Sequence, residues 1–119
     1  MNRSELRDYC LSRRDANEDF PFGNDVAVYK VMGKMFALIP VNPSPQISLK
    51  CDPLWAEVLR QTYIAVTPAY HLNKKHWNGV IVDGSIPDSE IREMIDHSYE
   101  IVVKGLTKKE REKLEQGKG

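Results

Sequence analysis

The stretch VAVYKVMGKMFALIP, Val26 to Pro40, holds two β-rich runs, Val26 to Val31 and Met35 to Pro40, on either side of Met32-Gly33-Lys34. Gly33-Lys34 suits a tight hairpin turn, with glycine at the position that needs a positive φ. Both faces of the second run are apolar, which predicts a strand inside a sheet rather than at its margin. Asn42 to Pro45 then reads as a loop, because its two prolines forbid a continued ladder. Gln46 to Lys50 alternates, with Ile47 and Leu49 on one face and Gln46, Ser48 and Lys50 on the other, as a half-buried third strand does.

Outward from the hairpin the signals turn helical. Asn2 and Glu5 fit a capping box for a first helix that presents Leu6, Tyr9 and Cys10 and ends near Arg13 and Arg14. Residues 15–25 read as turn, with one ring of the Phe20 and Phe22 pair expected to cover the sheet edge. Asp52-Pro53 opens a second helix running to about Thr62. Ile64 to Thr67 and Asn78 to Asp83 read as short strands. Ser85 and Asp88 frame the longest helix, whose Ile91, Met94, Ile95, Ser98 and Val102 share one stripe. Gly105 suits its C-cap, and Thr107 with Glu110 caps a short charged helix. Short connections favour antiparallel pairing, so the fold class is α+β: about five or six antiparallel strands with helices on one face.

The 119 residues, 41% hydrophobic and 29% charged, make one domain over residues 1–116, with GKG at 117–119 as a flexible tail. A polar N-terminus and the lack of a long apolar run predict no signal peptide and no membrane partner. Cys10 and Cys51 sit in no paired motif, which suits a reduced, cytoplasmic protein. Net charge is zero but unevenly spread. Residues 26–82 carry 6 basic and 2 acidic side chains, and residues 83–100 carry 1 and 6. One face can thus be positive on a neutral molecule.

The segment YHLNKKHWN, Tyr70 to Asn78, is the densest in functional side chains. Lys74 and Lys75 can meet phosphates, Asn73 and Asn78 can donate and accept, and Trp77 offers a stacking face. The same residues also suit a purely structural loop, with Trp77 in the core. His71 and His76 are five residues apart, which does not place them together on a helix, and no cysteine pair joins them, so no metal is expected. Cys51 reads as a buried structural thiol and His97 as a satisfied helix histidine. No nucleophile, base or phosphate loop assembles, so neither an enzyme nor a cofactor is expected.

FPFG at 20–23, GKMFAL at 33–38, ISLKCDP at 47–53, TPAYHLNKKHWN at 67–78, DGSIPDSEI at 83–91 and MIDHSYEIVVKGL at 94–106 closely resemble the MmcQ/YjbR family of small bacterial proteins. The match runs in order along almost the whole chain and departs at SRRDAN, Ser12 to Asn17. The resemblance implies a frataxin/CyaY-like fold, and a DNA-binding role through a "double wing" of β-hairpins. Carried onto this chain, one wing is the hairpin at Gly33 and Lys34. The other bears Asn73, Lys74, Lys75, His76 and Trp77, with Lys30 and Lys50 adding charge. Binding of DNA would be weak and salt-dependent. The alternative is a module for a small anionic ligand or a protein partner, with Tyr70, His71 and Asn78 in a pocket wall. The oligomeric state stays open.

Overall fold

The hairpin forms, one residue earlier than its sequence suggests. In the computed structural model, which describes residues 1–41 and 45–116, β2 (Val26–Val31) and β3 (Lys34–Pro40) pair antiparallel with Val31 opposite Lys34. The two-residue turn is therefore Met32-Gly33, with φ of 50° and 79°. Positive φ at both centres matches the right-handed twist of the flanking strands. Gly33 adopts it freely, whereas Met32 does so at some steric cost. The loop expected at Asn42 to Pro45 and the tail at 117–119 fall on residues 42–44 and 117–119, outside the described residues.

The described elements run α1 (Arg3–Leu11), β1 (Ala16–Asp19), β2, β3, β4 (Gln46–Lys50), α2 (Pro53–Thr62), β5 (Val66–Pro68), β6 (Trp77–Ile81), α3 (Asp88–Lys104) and α4 (Lys108–Gln116). The strands form one antiparallel sheet in the order β1-β2-β3-β4-β6-β5. This is the α+β class expected, with β3 inside the sheet. Strand β1 departs from the reading of residues 15–25 as turn. ANED has little strand character of its own, and its pairing with β2 is held by side chains. Arg7 Nε donates to Glu18 at 2.9 Å, Tyr29 Oη to Glu18 at 2.7 Å, and Lys30 Nζ to Asp19 at 3.0 Å.

Between Tyr29 and Lys30 the β2–β3 register shifts, with Tyr29 opposite Ala37 and Lys30 opposite Met35, so Phe36 bulges. The bulge turns Phe36 into the core, edge-on to Tyr99. Ser98 of α3 serves the backbone there: its hydroxyl donates to the Phe36 carbonyl and accepts from Lys50 N at 2.9 Å. A serine on an otherwise apolar stripe thus joins α3 to β3 and β4.

One sheet face carries the main core. Tyr29, Ile39, Ile47, Leu49 and Val80 pack against Leu6 and Cys10 of α1, Leu59 of α2, Ile91, Met94 and Ile95 of α3, and Leu114 of α4. The opposite face holds a second cluster of Val28, Leu38, Ala69 and Trp77, flanked by Val26, Met35 and Leu72, and contains no helical residue. The helices therefore lie on one face. Asn2 and Glu5 form the expected capping box, and Asp52 accepts from Leu54 N and Trp55 N. Helix α3 differs: Pro87 is its N-cap, and Ser85 donates to Asp83 instead of capping. Phe20 and Phe22 are both exposed, so neither seals the edge of the sheet. No described helix is long and apolar enough to cross a membrane.

Candidate functional site

The Tyr70 to Asn78 segment divides into a framework and an exposed rim. Strand β6 begins at Trp77, so Trp77 and Asn78 are part of the sheet and only 8% and 2% exposed. Trp77 packs on Val28, Leu38 and Ala69, which removes it as a stacking platform. Asn78 faces the main core, so it is not in a pocket wall of the kind expected. Its Oδ1 accepts from Arg60 Nε at 2.7 Å, while its Nδ2 is buried with no partner among the described residues. Arg60, in the last turn of α2, also donates through Nη2 to the carbonyls of Lys74 and Trp77. Sequence reading missed this arginine, because nothing local marks a helix-end arginine as the clamp of a loop fourteen residues on.

Asn73 is likewise structural. Its carbonyl accepts from His76 N at 3.1 Å and Trp77 N at 2.9 Å, and its Oδ1 accepts from Lys75 N at 3.0 Å. This side-chain-assisted turn closes the loop. The half-buried His76 contributes its carbonyl, which accepts from Cys51 N at 2.7 Å. What the loop leaves exposed is Tyr70, His71, Asn73, Lys74 and Lys75, with Lys74 Nζ 5.2 Å from the Tyr70 ring centroid.

The cations expected to act together are only partly gathered. The exposed Lys34, the half-buried Lys50 and the Lys74-Lys75 loop share one end of the sheet. Lys34 sits at the β2–β3 turn, and Lys50 pairs with Trp77 at the start of β6. The C-terminal end of α3 reaches the same place, where Ile101, Val102 and Gly105 line a depression with Lys34, Met35 and Lys50. Lys104 lies in that last turn of α3, a charge the sequence reading did not include. Glu110 lies close enough to feel Lys34, as part of a lowered pKa caused first by its bond from Thr107 N. Lys30 does not belong to the set, because it is paired with Asp19 and its side chain is 20% exposed. Asp83, Asp88, Glu90 and Glu93 collect near the opposite end, where α3 starts.

The remaining reactive groups are quiet. Burial pushes the Cys51 thiol up to about 11, with Asp52 adding to the effect, and pushes Cys10 up to about 12. Neither is a thiolate at neutral pH. His97 accepts from Asp52 N at 3.1 Å through Nε2 and meets Trp55 edge-on, and burial holds its pKa below the usual histidine range. Among the described residues no three His, Cys, Asp or Glu side chains gather closely enough to hold a metal ion.

The helix-free sheet face bears a groove of about 480 Å³. Val26, Leu38, Pro40, Gln46, Ser48, Thr67 and Gly79 contribute to its lining, with the segment Pro68 to Leu72 on one side and Phe22 on the other. The register explains its shape. Leu38, Ser48, Gly79 and Thr67 stand in one row across β3, β4, β6 and β5. The glycine leaves the floor recessed between two hydroxyl-bearing neighbours.

This architecture has relatives of known structure. The YjbR family profile matches residues 11–101. The chain belongs to the YjbR family. It is 39% identical over 117 residues to the uncharacterised Escherichia coli K12 protein YjbR, covering 98% of this chain and 99% of that one. The crystal structure of Deinococcus radiodurans protein DR2400 superposes with a TM-score of 0.88 at 39% identity, over 96% of this chain and 88% of that chain. A Pseudomonas syringae protein gives 0.73 at 31% identity, over 85% and 98%. The family expected from the six segments, HLNKKHWN among them, is thus the one found. Within this YjbR-family chain, that segment combines the Arg60-clamped loop with one side of the groove.

Proposed function

We propose that this protein is a non-catalytic DNA-binding protein that contacts the phosphate backbone of a duplex through the basic end of its sheet. The observation that supports this most is the convergence of the Lys34 turn, Lys50, the Lys74-Lys75 loop and the end of α3 at one end of a molecule whose net charge is zero. Cations held on neighbouring loops can meet successive phosphates, and the carboxylates near the far end of α3 favour approach with the basic end leading. With Trp77 buried, its indole offers no base a stacking face, so binding is chiefly backbone-directed and tolerant of sequence.

About four phosphate contacts give a slope of log K against log salt near −3.6, and hence weak binding at moderate ionic strength. Fluorescence anisotropy of a labelled duplex, at low and then moderate salt, tests this. The Lys74→Ala/Lys75→Ala variant serves as comparison once circular dichroism shows it folded. Salt-sensitive binding that largely vanishes in the variant supports the proposal. A folded wild-type protein that leaves the anisotropy unchanged at low salt overturns it.

A further inference from the structure

We infer that the groove on the helix-free sheet face is a binding site for a small aromatic carboxylate, sharing only Lys74 with the basic end. The volume of about 480 Å³ lies within the range of small-molecule sites, and the lining has their usual make-up of many apolar walls and a few polar groups. An ordinary packed sheet face would be filled at its centre. Here Gly79 sits between Ser48 and Thr67, and nothing but backbone closes the floor at that point. Its φ is not one that demands glycine, and an added Cβ would meet Thr67 Oγ1 only at 3.7 Å, an ordinary contact. Neither backbone conformation nor crowding therefore accounts for this glycine.

The guest's chemistry follows from the walls. Phe22 and Tyr70, each 64% exposed, rise on opposite sides of the groove, an arrangement suited to a flat apolar ring between them. Ser48 and Thr67 supply hydroxyls along the floor. No acidic residue lines the groove among the described residues, while His71 lines it and Lys74 stands over the Tyr70 ring. That places positive charge at the Tyr70 end, where a carboxylate would be received, and leaves the apolar Val26, Leu38 and Pro40 region for the ring.

The test uses 2-naphthoate as probe, with the neutral 2-naphthalenemethanol beside it, followed by amide NMR shifts of the full chain. Naphthoate is expected to move the amides of Ser48, Thr67 and Gly79, and to bind more tightly than the alcohol. Gly79→Leu, which fills the floor, weakens naphthoate about tenfold or more. If that variant is misfolded by its own spectrum, Ser48→Val and Thr67→Val carry the same test. Lys74→Met weakens naphthoate about threefold and leaves the alcohol unchanged, as expected for an exposed charge. Lys34→Ala, at the basic end, leaves both untouched. An absence of naphthoate shifts in the groove at about 1 mM overturns the inference, as does equal binding by the filled variant or an alcohol that binds as well as the acid. Loss of DNA binding in the lysine variants has no bearing on these outcomes.

Discussion

Replacing Arg60 separates the framework of the loop from its surface. In the Arg60→Ala variant, Asn78 Oδ1, on a residue 2% exposed, loses its donor. An abandoned buried acceptor costs about 1–3 kcal/mol, and a hydrogen bond from a charged donor is worth about 1.5–3 kcal/mol; these overlap rather than add. The Lys74 carbonyl is near water and recovers a partner, and the 3.4 Å contact to the Trp77 carbonyl is weak. The net loss comes to about 2–3 kcal/mol. At roughly 4 °C per kcal/mol for a domain of this size, that lowers the melting temperature by roughly 8–12 °C. Urea unfolding followed by circular dichroism measures the free energy. The Arg60→Ala/Asn78→Leu double variant, with Asn78→Leu alone, completes the argument: removing both partners restores part of the loss, and the double-mutant cycle gives a coupling of about 1 kcal/mol or more. A single variant within about 0.5 kcal/mol of wild type, with no coupling to Asn78, would refute the clamp.

Ser98→Ala strips a partner from both the Phe36 carbonyl and Lys50 N at the β3 bulge. It is expected to cost about 2–3 kcal/mol in the same unfolding assay, and a loss below about 1 kcal/mol would show that the bulge satisfies itself. The pH response of stability should reflect His97, whose burial disfavours the imidazolium and holds its pKa below the unfolded value of 6.5. Between those two values the unfolded chain binds the extra proton, so this contribution is full above about 6.5 and lost as pH falls through the folded value. His97→Gln should therefore flatten the decline in urea midpoint between about pH 7.5 and about pH 5.5. Parallel curves for the two proteins would remove His97 as the cause.

The parts of the fold that were legible in the sequence are those whose signals are local. The hairpin, the α3 stripe from Ile91 to Val102 and the Asn2, Asp52 and Thr107 caps each announce themselves within a few residues. Strand β1 was illegible because Asn17, Glu18 and Asp19 are polar and the segment becomes a strand only through β2 and the groups on Arg7, Tyr29 and Lys30. At the candidate site, the lysines of the loop were legible as exposed charge. Trp77 in the core was one of two readings the loop allowed, and it is settled by β6 starting at Trp77, one residue before the expected strand. The clamp from Arg60 joins residues eighteen apart, and the row of Ser48, Gly79 and Thr67 exists only once three strands are in register. No periodicity encodes either.

The two margins of the sheet have a consequence for how the protein behaves in a crowd. Strand β1 presents Glu18 and Asp19 at one margin, and β5, at the other, is three residues long and ends in Pro68, which has no N–H to offer. A second chain approaching the first margin must strip water from carboxylates, and at the second it finds almost no ladder to extend. Growth of the sheet from copy to copy is disfavoured at both sides. One broad sheet face can therefore stay free of helices without either margin inviting a further strand.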